Sequence, residues 1–420
     1  MFCFALSISF IIKIRIPLFM RFAHLADIHI GAWRDPALKD LNLEAFRRAI
    51  HIILDKKFDF VLIAGDLFNT AMPSLDHLKQ AVILLKRLKK QGISVYAVPG
   101  SHDYSPGGRT IIDVLEEAEL LVNVMKGEVL GNKLRLNFTI DKKTGAKITG
   151  IRGKKGSLEK KDYEMLDVNS LEKEQGFRIF MFHTAIDELK PEELEKMESM
   201  PATEMPQGFD YYAGGHVHVV KHKNEEGYKN LVYPGPIFPT NFAELWKLGR
   251  GGFYTYEDGK LEFQTLNLKN VHKIELSAEN KTPEQLNHEL EAAIQNKEFN
   301  NTIVLIKVAG MLKSGKPSDI NFKSTTSELY NKSAYFVMRN TSHLSSQEFE
   351  AIKISSGTAE QIEEELIREY AGKAKTSFTD KQEEMIRNLI KAISEEQKEG
   401  EKKYEYDARM KKETDEALGF

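Results

Sequence analysis

The chain has 420 residues, of which 41% are hydrophobic and 29% charged, and its formal net charge at pH 7 is −3. That length exceeds one ordinary core, and the composition excludes wholesale disorder. The charge excludes a global attraction to nucleic acid, so any phosphate-binding surface has to be local.

Cys3 is the only cysteine, which excludes a disulfide framework and a thiolate metal site and fits a reducing cytoplasm. The opening residues, MFCFALSISFIIKIRIPLF, form an apolar run too short for a membrane span, and Lys13 and Arg15 follow the run where a signal peptide would place them ahead. Residues 1–19 are therefore expected to be a disordered leader or a start assigned too early, and no membrane association is expected. From Met20 to about 268, apolar runs alternate with amphipathic helical stretches. The runs are RFAHLA (21–26), FDFVLIAG (58–65), SVYAVPG (94–100), RIFMFH (178–183) and DYYAGG (210–215). Between them, 43–57 and 75–92 have helical spacing; the second puts Leu78, Val82, Leu85 and Leu88 on one face and ends at Gly92. This alternation predicts a layered α/β domain with a largely buried sheet. The basic runs Lys86-Arg87, Lys89-Lys90, Lys154-Lys155 and Lys160-Lys161 read as solvated faces.

Near 270 the pattern changes to strand, helix, strand and a further strand at 333–341, a small α+β domain over 269–350. Beyond Gly357 the chain is helical and charged. Thr358 can cap a helix bearing Ile362, Leu366 and Tyr370, with Gly372 as its C-cap. A second helix, 379–393, carries Met385, Ile386, Leu389, Ile390 and Ile393 on one stripe, and the polar remainder is expected to be frayed.

The informative residues follow the strands. Asp27 and His29 come after the first run, Asp66 after the second, His102 and Asp103 after the third, His183 ends the fourth, and His216 and His218 come after the fifth. Parallel strands bring their C-terminal ends to one rim, where α/β sheets bind ligands. Leaving aside the His102–Asp103 pair, four histidines and two aspartates converging there make a nitrogen-and-oxygen site suited to Mn, Fe, Zn or Ni. In extended chain, residues i and i+2 project to one side, so the D-x-H and H-x-H pairs can each aim both side chains into the site, and Asp66 is placed to bridge two cations. Two metals about 3.5–4 Å apart clamp a phosphodiester for in-line displacement. His102 would then give a proton to the leaving oxygen, with Asp103 orienting it. His24, within the first strand, reads as packing; His51 and His77 belong to helices.

In their order, D-x-H, G-D, the H-D pair of PGSHD, an isolated His and G-H-x-H resemble the calcineurin-like metallophosphoesterase superfamily. The stretches HLADIHIG, IAGDLFNTAMPS and GGHVH look like the SbcD/Mre-type nucleases of DNA double-strand-break repair. The resemblance covers residues 20–268, the nuclease domain. It implies that Asp27, His29, Asp66 and His218 hold one Mn ion, that Asp66, His183 and His216 hold a second, and that His102 is the catalytic histidine. It also implies 3′–5′ exonuclease and endonuclease activity on DNA in a nucleoid-associated cytoplasmic protein, with 269–350 capping the DNA. Homodimerisation through helices near 75–91 and 109–121 is implied as well, as is a helical tail, 351–420, that binds an SMC-like coiled-coil ATPase through residues 358–393. Two positions depart from the pattern. Ser101 stands where the family has an asparagine that ligates the second metal, and Asn69 stands where many members have Asp or His. The rival readings are a phosphodiesterase for small nucleotides and a non-catalytic DNA-end or ATPase scaffold weakened at Ser101.

Overall fold

The computed structural model describes residues 20–104, 108–154, 156, 158–347, 382–395 and 403–418. The leader and the helix expected from Thr358 to Gly372 lie outside the described residues. By compactness the chain divides into two units. The first takes the described residues up to Ala278 with Glu284–Gly310 and Ile320–Leu344; the second takes Glu279–Pro283, Met311–Asp319 and the described residues from Ser345.

The apolar runs become strands: β1 (Arg21–Leu25), β2 (Phe60–Ala64) and β3 (Ser94–Val98), with α1 (Leu41–Lys56) and α2 (Leu75–Lys90) between them and α3 (Ile111–Glu117) leading to β4 (Val122–Asn123). Ser74 caps α2 by accepting the His77 amide at 3.2 Å, and Thr110 with Asp113 forms a capping box on α3. After the hairpin β5 (Gly127–Leu130) and β6 (Lys133–Leu136) come β7 (Thr139–Ile140), β8 (Lys147–Ile151), the short α4 (Lys160–Glu164) and α5 (Val168–Glu172), β9 (Arg178–His183) and β10 (Tyr211–Gly215). Then follow β11 (Lys221–Glu225), β12 (Tyr228–Tyr233), α6 (Phe242–Leu248), β13 (Gly251–Glu257) and β14 (Lys260–Leu266).

Apart from the separate β5–β6 hairpin, these strands form two six-stranded sheets, ordered β14-β13-β1-β2-β3-β4 and β11-β12-β10-β9-β8-β7. The donor-bearing strands are parallel within each sheet, but β1 to β3 and β9 to β10 belong to different sheets. The single rim expected from the sequence is thus an edge where two sheets meet. Period-two burial explains the stacking. Phe22, Phe60, Leu62 and Val98 face Ile179, Met181, Tyr211 and Val232 of the other sheet, while Ala23, Leu25, Val61 and Ile63 face α1 and α2. On the far side, Phe180, Phe182 and Tyr212 pack under Met200, Met205 and Phe209. The result is a helix–sheet–sheet–outer-layer sandwich.

His24 lies between the sheets, fully buried, its Nδ1 3.0 Å from the Tyr211 hydroxyl. Burial lowers its pKa to about 3. The unfolded chain takes up this proton near pH 6.5, so stability is complete above that pH and is lost as pH falls toward 3, by about 1.4 kcal/mol per unit. His24→Leu should accordingly show a flatter fall in denaturant midpoint between pH 6.5 and 4 than wild type; parallel curves would remove His24 from this role.

A third sheet runs β15 (Asn270–Ser277), β16 (Thr302–Leu312) and β17 (Phe336–Asn340), all parallel, with β18 (Leu344–Ser346) beside β16. Parallel neighbours require crossovers, supplied by α7 (Pro283–Ile294) and by α8 (Phe322–Asn331), a helix the sequence reading lacked. Ile303 and Leu305 of β16 join the same core as α1. In the second unit, α9 (Gln382–Ile393) matches the expected helix. The expectation of a frayed polar end is overturned by α10 (Lys403–Leu418), whose Arg409 reaches Glu395 at 2.8 Å. No described helix is long and apolar enough to cross a membrane.

Candidate metal centre

Five of the donors sit just past the strand ends and their backbone is not extended, whereas His183 closes β9 itself. Asp27, His29, Asp66, His216 and His218 all have positive φ, between 46° and 104°. The i, i+2 argument therefore assumes the wrong geometry; left-handed turns, not extended chain, aim these residues inward. Such conformations cost roughly 1–3 kcal/mol each and persist only where the surroundings over-determine them. Here the surroundings do so. The Asp27 amide donates to the Gly65 carbonyl at 3.2 Å, His29 N to Asp66 O at 2.9 Å and Ile30 N to Leu67 O at 3.1 Å, which extends the β1–β2 ladder through the site. The His216 amide donates to both Asp27 carboxylate oxygens, at 3.0 and 3.1 Å, linking the sheets. Gly65 and Gly100 leave the space: a Cβ would meet His183 Nδ1 at 2.1 Å or Asp66 Oδ1 at 2.2 Å.

Three groups of side chains bring their donor atoms within 4.8 Å of one another: Asp27, His29 and His218; His29, Asp66 and His102; and Asp27, Asp66 and His183. Asp27, His29 and Asp66 each serve two groups. Asp66 Oδ2 lies 3.5 Å from His29 Nε2 and 3.2 Å from His183 Nε2, and Asp27 Oδ1 lies 3.6 Å from His218 Nε2. The His29 and His218 Nε2 atoms approach to 3.0 Å. His216 joins none of these groups among the described residues, although its ring lies 5.1 Å from that of His183.

One correction concerns PGSHD. Asp103 does not orient His102: it is buried, and its Oδ2 accepts the amides of Asp66 at 3.0 Å and Gly100 at 2.8 Å, pinning the loops beneath the site. The His102 ring is oriented by the Asn69 carbonyl, which accepts from Nδ1 at 2.8 Å. The His102 amide donates to Asp66 Oδ1 at 2.8 Å. Ser101 is buried, its hydroxyl 3.4 Å from Asp66 Oδ2.

Sequence reasoning missed Glu244. Its carboxylate accepts from His218 Nδ1 at 2.9 Å while also capping α6 through Thr240 and Asn241. The Asn241-x-x-Glu244 pattern signals a helix start, but nothing in it signals His218. The Ala64 carbonyl does the same for His183, accepting from Nδ1 at 2.9 Å. Each contact leaves Nε2 as the free donor, the arrangement usual behind metal-ligating histidines.

The electrostatics point the same way. Burial alone would depress His183 and His218, but Asp66 raises the first to about 10, and Asp27 with Glu244 raises the second to about 9. Burial would push Asp66 up, and His183 with His29 outweighs it, holding the carboxyl below its usual range. Burial lowers His29 and His216 to about 3, so both are neutral donors. Burial and the nearby Asp66 charge push Asp103 up to about 7. A cation can replace the imidazolium protons that otherwise neutralise the carboxylates. His183 Nε2 is moreover buried without a hydrogen-bond partner despite its nearness to Asp66. The donor set thus fits divalent metal. Glu244→Gln, which keeps the cap but removes the charge behind His218, should weaken Mn binding about 10–100-fold in calorimetric titration; unchanged affinity would deny Glu244 that role.

Residues 20–220 match the family model described as calcineurin-like phosphoesterase. A DNA double-strand break repair protein Mre11 of Methanopyrus kandleri is 30% identical over 285 residues, 62% of this chain and 60% of the relative. Its counterpart in Archaeoglobus fulgidus is 26% identical, covering 62% of each chain. That of Methanococcus maripaludis is 29% identical, over 62% of this chain and 68% of the relative. The chain spans about three fifths of the length of the first two.

Proposed function

We propose, from the match of residues 20–220 to the calcineurin-like phosphoesterase model, that the protein is a metal-dependent phosphodiesterase that cuts DNA, an exonuclease and endonuclease of double-strand-break repair. The observation that carries the reading is the overlap of three donor groups through Asp27, His29 and Asp66, which suits two adjacent cations better than one. In this reading Asp27, His29, Asp66 and His218 hold one ion, and Asp66, His183 and His216 hold the other, both Mn. Divalent cations there supply Lewis-acid charge to a phosphodiester. The chain's own residues do the rest. Gly65 and Gly100 let the loops close on the donors, Glu244 and the Ala64 carbonyl hold two imidazoles in register, and His102 keeps a proton available for the leaving oxygen.

The names of the relatives support DNA as the substrate. A second copy would cover the exposed Leu75, Ile83 and Val114 of α2 and α3. Residues 358–393 are assigned to an SMC-like ATPase, and the exposed Ile393 at the end of α9 supports a docking stripe there. The site of action is the cytoplasmic nucleoid.

Ser101→Asn should lower the Mn concentration for half-maximal activity, since an amide carbonyl reaches further than a hydroxyl; an identical titration would show that Ser101 is no defect. The reading as a whole is tested with end-labelled duplex and hairpin DNA beside a cyclic nucleotide, in Mn and in Mg. Mn-dependent cleavage of the DNA is expected. Turnover of the cyclic nucleotide alone would favour the small-nucleotide reading, and no turnover of either would favour the scaffold.

A further inference from the structure

A cleft of about 500 Å³ opens beside the donor cluster, and nothing in the metal chemistry uses it. Its inner wall is the segment His216, Val217 and His218, so it is continuous with the centre. The other walls are Leu194 and Met197 on one side and Ala243 and Leu248 of α6 on the other. Polar groups stand at the rim: Asn241, and the Glu193–Lys247 pair at 3.2 Å. A concave site of this size with apolar walls and few polar groups is the usual form of a small-ligand pocket. Because the cleft shares the His216–His218 segment with the cluster, a phosphodiester held there has this cleft next to it for one of its esterified groups.

We infer that the cleft receives the nucleobase of a nucleotide flanking the scissile phosphodiester. A base offers flat apolar faces to Leu194 and Leu248, a ring for the Met197 thioether, and a polar edge for the rim. The inference rests on the phosphodiesterase reading and adds to it a base subsite, on one side of the scissile bond only. Because α6 both lines the cleft and carries Glu244, a seated base also presses on the helix that orients His218.

The test uses the full chain, Mn, and thymidylyl-thymidine, whose single phosphodiester fixes the position of both bases. Two analogues each replace one base by an abasic residue. Hydrolysis in every case consumes one water and leaves a monophosphate and an alcohol. Wild type should cut one analogue with a kcat/KM about ten- to a hundredfold below that of the parent, the contribution of one stacked base, and should cut the other nearly as well as the parent. Ala243→Trp, which fills the cleft from α6, should bring the affected ratio toward one, and so should Leu194→Trp from the opposite wall if the first variant folds poorly. Wild type that cuts long DNA but treats the three dinucleotides alike overturns this inference alone, as does a ratio unmoved by both variants. Failure to cut any DNA overturns the phosphodiesterase reading, and this one with it.

Discussion

His102→Ala is expected to slow DNA cleavage by about 10²–10⁴-fold, the range for loss of a positioned proton donor, while Mn affinity changes by less than tenfold. The structure separates the two effects. The His102 backbone amide, which alanine retains, makes the contact to Asp66 Oδ1. Among the described residues the ring makes its hydrogen bond through Nδ1 to the Asn69 carbonyl and packs edge-on against His29, and the residue is exposed where His29 and Asp66 beside it are buried. Removing the ring therefore removes a proton carrier without opening the loop. Single-turnover cleavage with calorimetric Mn titration of the same preparation checks both halves. Full activity would sink the assigned role, and loss of metal in proportion to activity would make His102 a ligand.

Asp66→Asn should have a larger and different effect. The asparagine keeps the shape and tolerates the positive φ of this position, but it loses the charge shared among His29, His183 and the neighbouring donor groups. Mn affinity should fall more than about 100-fold and cleavage more than about 10³-fold. The metal-free variant should unfold at a lower temperature than metal-free wild type, because it loses the buried carboxylate that pairs with His183 and His29. Wild type should gain about 2.7 kcal/mol when Mn is raised to 100 times its dissociation constant, and the variant almost nothing at that concentration. Equal stabilisation of the two proteins by Mn would remove Asp66 from the centre.

Much of this layout was legible because it is written in local patterns. Apolar runs gave β1, β2, β3, β9 and β10 to within two residues, and the candidate donors stood out because each ends or follows such a run. His24 was read as packing because it lies inside β1, and it faces Tyr211 between the sheets. What was not legible depends on long-range pairing. Nothing local says that β3 and β9 belong to different sheets, or that β13 returns beside β1 across more than two hundred residues. The left-handed backbone of Asp27 and His218 was hidden because these residue types carry no glycine-like signal, and burial and cross-loop hydrogen bonds impose it. Asp103 was misread for a related reason. Adjacency to His102 suggested a pair, whereas the turn after β3 sends the two side chains apart, one to solvent and one down to the Asp66 and Gly100 amides. Glu244 could not be reached at all, since its partner is 26 residues away and on another element.

The central claim is that one donor cluster holds two cations side by side with Asp66 between them. Crystals equilibrated with Mn and measured at the Mn absorption edge test it directly. The account predicts two anomalous peaks about 3.5–4 Å apart, both next to Asp66, with His218 beside one and His183 beside the other. A single peak, or ions bound away from Asp66, would contradict it.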